Sequence, residues 1–336
     1  MDIVGYISSL DPAKLIKNMP GGVAQGLLWG LMALGVYITF RLLKVSDLTV
    51  EGSFATGGAV TVVLVTGHGP QWLMSLFNMP EGSSVPVWVA VTIATFVGII
   101  CGLCTGVLHS YLGIPAIMAG ILMQLALYSV NLHIMGMSSN MPVSVDKYDL
   151  FVSSRYVYSA IPKSLLVVSV IIGVLYWYFG TESGSALRAT GNNPVMSSAQ
   201  GIDVEKMKLI GFGLSNGIVA LAGGLVAQYQ GFADISMGRG ASVIGLAAVI
   251  IGEVLSKSIF KGHINFAFKM LFVIIGGIVY YAVVILVLWL KLNTNDLKLF
   301  TAVVVALFLG IPYLKEKRRS SFSFLVKEGA GNARTK

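Results

Sequence analysis

Charged residues are scarce in this sequence. Only 11% of the 336 residues are charged and 55% are apolar, whereas roughly 25% are charged in an ordinary soluble domain. A soluble globule of this length would need far more charge to cover its surface. The deficit, with a mean hydropathy of +0.81, excludes a soluble enzyme or a nucleic-acid-binding protein and predicts an all-α polytopic membrane protein.

Cysteine and the motifs of common catalytic sites are also scarce or missing. The two cysteines, Cys101 and Cys104, lie in one apolar run, which excludes a disulfide framework. The four histidines have no metal-ligand spacing, so no metal site is expected. No Gly-x-x-x-x-Gly-Lys-Ser/Thr motif occurs. No cofactor is therefore expected on this chain, and any ATP and Mg²⁺ would be bound by a partner chain.

Long apolar runs are abundant enough for about nine membrane crossings, with a range of about eight to ten, since each needs roughly 20 residues. Two short, glycine-rich runs carry Glu51 and Glu253 and are predicted to be broken or re-entrant helices. Residues 49–60 and 235–246 resemble each other, which indicates an inverted repeat of the kind common in transporters. The runs occupy residues 22–43, 47–66, 86–109, 114–134, 160–180, 208–231, 241–256, 264–290 and 297–314.

Basic residues predict the orientation, because Lys and Arg collect on the cytoplasmic side of membrane proteins. With nine spans and a cytoplasmic C-terminus, 15 of the 23 basic residues fall inside. We therefore expect an N-terminal segment over 1–21, a transmembrane domain over 22–314 and a basic cytoplasmic tail over 315–336. The only long cytoplasmic loop in this topology covers 181–207.

Polar side chains within the apolar runs are the first candidates for a path across the membrane. An ionised residue at the centre of a spanning helix costs about 2.5–3.5 kcal/mol, so such residues usually face a bundle interior or a wet pathway. The alternative for each is an interhelical hydrogen bond or, for the acids, a place near a span end. The candidates are Asp47, Glu51, Gln124, Asn131, Asn216, Gln228 and Glu253.

Small residues within the spans predict close helix packing. Gly98, Gly102 and Gly106 recur every four residues and would line one helix face. Ser215 lies in a Gly-x-Ser-x-Gly sequence, which marks the nucleophile in some hydrolases. The nearest downstream histidine, His263, lies in a predicted loop, so the sequence favours a packing role for this motif.

The loop at 181–207 carries the strongest local signals. Asn193 followed by proline predicts the start of a helix, and Gly201 predicts its end. Asp203 can cap the helix that follows. A short helix over 194–200 between two spans would form a rigid knob on the cytoplasmic side. This knob is either a structural turn alone or a docking surface for a cytoplasmic partner.

At this loop the sequence resembles the permease subunits of ABC importers for branched-chain amino acids, ribose-type sugars and nucleosides. Residues 184–193 read Gly-x-x-Leu-Arg-Ala-x-Gly-x-Asn, and Ala199 and a Gly-Ile pair at Gly201 follow. Residues 46–59, SDLTVEGSFATGGA, resemble the second-span segment of that family. The resemblance extends over 20–314, and the second-span wording looks most like permeases of tryptophan/tyrosine importers.

The resemblance implies a permease of the bacterial plasma membrane that catalyses no reaction itself. Two such chains, here a homodimer in membrane lipid, would form the translocation path. Two cytoplasmic ATPase subunits would drive it, and an extracytoplasmic binding protein would deliver the solute. The ATPase-contacting loop maps onto Gly184, Arg188, Ala189, Gly191, Asn193, Ala199 and Gly201, with Arg188 as a charge contact or loop brace.

Aromatic amino acids are the leading solutes by this resemblance, followed by branched-chain amino acids or nucleosides. Two other functions stay open from the residues alone. An ion-coupled secondary transporter would use Glu51 and Glu253 to bind its coupling ion. A more remote alternative is an intramembrane serine protease with Ser215 as nucleophile.

Overall fold

The computed structural model describes residues 12–68, 75, 84–260 and 265–290, with the single positions 299, 303, 306 and 310. The chain divides into a large unit, Pro12–Ala282, and a second unit made of residues 1–11 and 283–336. Apart from those single positions, the ninth apolar run and the basic tail lie outside the described residues.

Eight of the described helices are long and apolar enough to cross a membrane, which confirms the all-α polytopic fold. Two further helices are short. The helices are α1 (Pro12–Tyr37, continued by a π-helical turn over Ile38–Leu42), α2 (Thr49–Thr66), α3 (Val87–Ser110), α4 (Ala116–Ile134), α5 (Val157–Gly180), α6 (Glu182–Asn192), α7 (Pro194–Ala199), α8 (Val204–Gln230), α9 (Ala241–Ile259) and α10 (Phe266–Trp289).

The structure differs from the sequence prediction in where the first helix begins and in how many helices the loop 181–207 contains. The first helix begins at Pro12, so much of the expected segment 1–21 is helical and Pro20 lies inside α1. Spanning helices tolerate proline because neighbouring groups satisfy the carbonyl that it leaves free. The loop 181–207 holds two helices, α6 and α7, where one was expected.

A small antiparallel sheet marks one end of the bundle. Strand β1 (Asn140–Pro142) pairs with β2 (Phe232–Asp234), with Met141 opposite Ala233. We call this end the β end, and the opposite end, where α6 and α7 lie, the α6–α7 end.

Helices α2, α3 and α8 form the core and approach each other at glycines. A Cβ at Gly57 would overlap the carbonyl oxygen of Ala220, and a Cβ at Gly223 would overlap that of Phe54. Gly98, Gly102 and Gly106, the three glycines spaced by four, all face α8 from α3. Such small-residue contacts let the backbones touch, and van der Waals packing then holds the helices together.

Helices α2 and α9 both begin inside the bundle. Asp47, just before α2, contacts Asn216, which lies twelve residues into α8, or about 18 Å along its axis. Gly238, just before α9, packs on the backbone of Glu51. From this meeting point α2 runs to the β end and α9 to the α6–α7 end. Both are continuous helices that are long and apolar enough to cross a membrane, so re-entry stays a prediction.

Candidate functional site

Asp47 caps the buried start of α2. Its Oδ1 accepts a hydrogen bond from the Thr49 backbone N–H (2.8 Å), and its Oδ2 accepts one from Asn216 Nδ2 (2.7 Å). Beside them the hydroxyls of Thr49 and Thr105 lie 2.8 Å apart. A carboxylate at a helix N-terminus satisfies free N–H groups and complements the helix dipole. Asp47 and Asn216 therefore join α2 to α8.

Glu51, one turn further along α2, caps the start of α9. Its Oε1 accepts hydrogen bonds from the Gly240 backbone N–H (3.1 Å) and from the Ser242 hydroxyl. Its Oε2 accepts one from Gln124 Nε2 on α4 (2.9 Å). A single carboxylate thus holds the ends of two helices and a third helix together in the interior.

A cavity of about 330 Å³ opens beside Glu51, between α2, α4 and the segment before α9. We call it the Glu51 cavity. Asn131 lines the cavity, and its amide oxygen is buried without a hydrogen-bond partner. A small cavity that combines apolar walls with a few polar groups is typical of a ligand site. Its lining residues are Glu51, Gly52, Ala55, Ile121, Gln124, Leu125, Tyr128, Asn131, Ile235 and Arg239.

Glu253 lies away from this cavity, towards the α6–α7 end. Both of its carboxylate oxygens accept hydrogen bonds from Arg41, which belongs to the π-helical turn after α1. A bidentate arginine–carboxylate pair fixes geometry as well as charge. This ion pair links the end of α1 to α9.

Gln228 lies apart from the other candidates, near the β end. Its Oε1 accepts a hydrogen bond from the Phe151 backbone N–H (3.2 Å). The structure therefore separates the seven polar candidates. Asp47 and Asn216 form one pair, Glu51, Gln124 and Asn131 share the cavity, and Gln228 and Glu253 lie elsewhere.

Helices α6 and α7 are capped by side chains at each start. The Thr181 hydroxyl accepts a hydrogen bond from the Gly184 N–H (3.3 Å), and Asn193 Oδ1 accepts one from the Met196 N–H (3.1 Å). Asp203 caps α8 in the same way. The short helix expected from the Asn-Pro sequence is therefore present as α7, which ends at Ala199 before Gly201.

Helix α6 packs directly on the ends of three spanning helices. A Cβ at Gly191 would overlap the carbonyl oxygen of Leu42, at the end of α1. Gly184 packs in the same way on the end of α5. The guanidinium of Arg188 lies over the ring of Phe266, at the start of α10, 5.6 Å from its centroid. Gly184 and Gly191 thus bring the backbone of α6 into direct contact with the ends of α5 and α1.

The Asn193 cap gives the first testable prediction. Replacing Asn193 by alanine removes the acceptor for the Met196 N–H and should destabilise α7 by about 1 kcal/mol. Hydrogen exchange of the backbone amides of residues 195–199 should become faster. Ser198→Ala, an exposed change in the same helix, is the control and should leave the exchange unchanged. Equal exchange in both variants would contradict the capping role.

Ser215 has a packing contact. Its hydroxyl donates a hydrogen bond to the Gly35 carbonyl oxygen (2.8 Å) and is buried between α1 and α8. Cys101 and Cys104 are unpaired, one buried and one exposed. Within the described part of the chain, no group of three or more His, Cys, Asp or Glu residues could hold a metal ion.

Three residues at these sites escaped the sequence analysis. Arg41 and Arg239 counted only as charges for the orientation, and Ser242 was not considered. The partner of Arg41 lies 212 positions away, so no local pattern points to it. A signal existed for the other two, because both lie in the segment 235–246 that resembles residues 49–60.

Comparison with known proteins gives a consistent set of relatives. Residues 18–312 match the family model described as the permease component of branched-chain amino acid transport systems. A tyrosine transport system permease protein of Clostridioides difficile (strain R20291) is 35% identical over 304 residues, covering 90% of this chain and 94% of the relative.

More distant relatives have other names. A probable branched-chain amino acid transport permease of Methanocaldococcus jannaschii is 25% identical over 63% of this chain and 66% of its own length. A ribose import permease of Escherichia coli (strain K12) is 25% identical, with 74% of each chain covered. No solved structure matches this chain.

Proposed function

We propose, since this chain belongs to the family of permease components of branched-chain amino acid transport systems, that it is the membrane-spanning permease subunit of an ATP-driven importer. In this proposal two copies form the translocation path in the plasma membrane. Separate subunits hydrolyse ATP on the cytoplasmic side, and a binding protein delivers the solute from outside. The chain itself supplies the path and its movement.

The observation that carries the proposal is the direct backbone contact of α6 with the ends of α1 and α5. A docked ATPase subunit would push on α7 and α6, and the contact of Gly191 with Leu42 would pass the movement to α1. The pair of Arg41 and Glu253 would pass it on to α9. Because packed elements move as rigid bodies, a displacement at the α6–α7 end would reach the interior meeting point of α2 and α9.

The cytoplasmic position of the α6–α7 end in this proposal rests on the orientation predicted from the basic tail, because the described basic residues divide almost evenly, with seven at this end and six elsewhere. Seven basic residues lie at or near this end, in α6, in the starts of α8 and α10, and after α1 and in α9. Lys and Arg enrichment is the usual mark of the cytoplasmic face. These residues are Arg41, Lys44, Arg188, Lys206, Lys208, Lys257 and Lys269.

The solute in this proposal is an amino acid, with aromatic amino acids first. The relative with a tyrosine permease name is 35% identical over 90% of the chain. The branched-chain and ribose relatives cited above are 25% identical over smaller shares. Branched-chain amino acids are the next class to test.

Purification of the tagged chain in mild detergent from its native cells tests the function. A P-loop ATPase and a binding protein should co-purify, and proteoliposomes holding the complex should take up tyrosine only when ATP reaches the ATPase subunits. Recovery of the chain alone, with uptake driven by an ion gradient, would contradict the proposal. It would favour a secondary transporter that uses Glu51 and Glu253.

Arg188 gives a further prediction for the same preparation. Arg188→Ala removes the stacking on Phe266 and loosens α6 from α10. We expect ATP hydrolysis to continue while uptake per ATP falls severalfold. Lys206→Ala, an exposed basic residue near α7, is the control and should keep both rates. A normal uptake-to-hydrolysis ratio in Arg188→Ala would remove Arg188 from the coupling contact.

A further inference from the structure

We infer that the Glu51 cavity is a solute site within the permease and that it binds a zwitterionic α-amino acid, Arg239 holding the carboxylate and Glu51 with Asn131 holding the ammonium. This inference rests on the proposed function and adds to it a place and a chemistry for solute recognition inside the chain.

Arg239 is the first observation. It lines the cavity beside Glu51, and its neighbour Gly238 packs on the backbone of Glu51 deep in the bundle. Its side chain is exposed, and among the described residues no carboxylate lies within 4.0 Å of it. An exposed guanidinium without an ion partner is open to an anionic ligand that enters the cavity. Arginine also suits a carboxylate, because it can donate two parallel hydrogen bonds.

Acceptors for a cation lie in the same cavity. Glu51 accepts three hydrogen bonds from the protein, and a carboxylate has about four acceptor positions. The Oδ1 of Asn131, a side chain that is 1% exposed, has no partner. A buried acceptor without a partner costs free energy that a ligand N–H would recover. An ammonium group is a donor that suits both acceptors, once the Asn131 amide turns to present its covered oxygen to the cavity.

The remaining wall is apolar and partly aromatic. Ile121, Leu125 and Tyr128, all from α4, line the cavity. A volume of about 330 Å³ is at the lower end of the range of roughly 300–1,000 Å³ for ligand sites. The arrangement therefore fits a small molecule with both charges and one apolar side chain. A neutral sugar or nucleoside would leave Arg239 without an ion partner.

Binding to the purified transporter complex in lipid nanodiscs, without the binding protein, tests the inference. The probes are L-tyrosine, tyramine, which lacks the carboxylate, and hydroxyphenylpropionate, which lacks the amino group. We expect each analogue to bind about tenfold or more weakly than L-tyrosine, because each leaves one charged group unpaired. Arg239→Gln should weaken the binding of L-tyrosine by a similar factor and leave the binding of tyramine unchanged.

Two variants complete the test. Arg239→Lys keeps the charge and should retain part of the preference for L-tyrosine over tyramine. Arg155→Gln changes an exposed arginine that pairs with Asp146 outside the cavity and should bind all three probes like the unchanged complex. Two results for Arg239→Gln would overturn the inference. One is full affinity for L-tyrosine, and the other is an equal loss of affinity for L-tyrosine and tyramine.

Failure of this inference differs from failure of the proposed function. A wild-type complex that takes up tyrosine with ATP but binds none of the probes would overturn the cavity site and keep the importer. A complex without ATP-driven uptake would contradict the importer itself.

Discussion

Gly191→Leu is expected to stop solute uptake while the partner ATPase subunits remain bound and active. Any Cβ at residue 191 would overlap the carbonyl oxygen of Leu42, so a leucine must push α6 away from the end of α1. Coupling free energies between two sites are typically about 1–3 kcal/mol, which corresponds to roughly 5- to 150-fold. If this contact carries the coupling, its loss should lower solute uptake per ATP hydrolysed by a factor in that range. Uptake and ATP hydrolysis in proteoliposomes measure the two effects separately.

A graded series and a control make this prediction specific. Gly191→Ala should give an intermediate defect, because it adds only the overlapping Cβ. Gly180→Ala places the same methyl at the end of α5, where nothing lies within 4 Å, and should transport normally. Co-purification of the ATPase with Gly191→Leu shows that the chain has folded. Normal uptake in that variant would mean that α6 does not transmit movement through α1.

The second large effect is expected on stability, at the crossing of α2 and α8. Gly223→Ala would place a methyl group against the carbonyl oxygen of Phe54. Because that oxygen belongs to the backbone of a buried helix, the two helices must separate. Overpacking of this kind costs typically about 1–3 kcal/mol, so the thermal unfolding midpoint of the detergent-purified protein should fall.

The same substitution at another helical glycine provides the comparison. Gly173 lies in α5 with nothing within 4 Å of an added Cβ. Alanine there removes the helix penalty of glycine, which is about 1 kcal/mol in soluble helices. Gly173→Ala should therefore keep or raise the midpoint. A fall of equal size in both variants would show that the contact at Gly223 is not the cause.

Much of this fold was accessible from the sequence because its signals are local. The apolar runs predicted the eight described spans, because a bilayer requires roughly 20 consecutive apolar residues for each crossing. The short helix after Asn193 was predicted because caps and proline act within a single turn. Helix α1 begins at Pro12, ten residues before the first apolar run, because a helix can continue beyond the apolar segment that identifies it.

The candidate site was accessible only in part. Polarity within spans identified Glu51, Gln124 and Asn131 as separate candidates, and the structure places all three at one cavity. The same reasoning grouped Glu253 and Gln228 with them, although they lie elsewhere. A polar residue in an apolar run is costly to bury alone, so its polarity indicates that it needs a partner. It does not indicate which distant residue that partner is.

The sequence by itself determined the membrane class, the helical spans, the capped knob and the family, because each depends on composition or on residues close together in the chain. Only the tertiary structure decided that Glu51 caps α9, that Arg41 pairs with Glu253 and that Arg239 lines the Glu51 cavity. These contacts join residues about 190 to 210 positions apart. Their partners are chosen by how the helices pack, which depends on small residues that look alike throughout a glycine-rich chain.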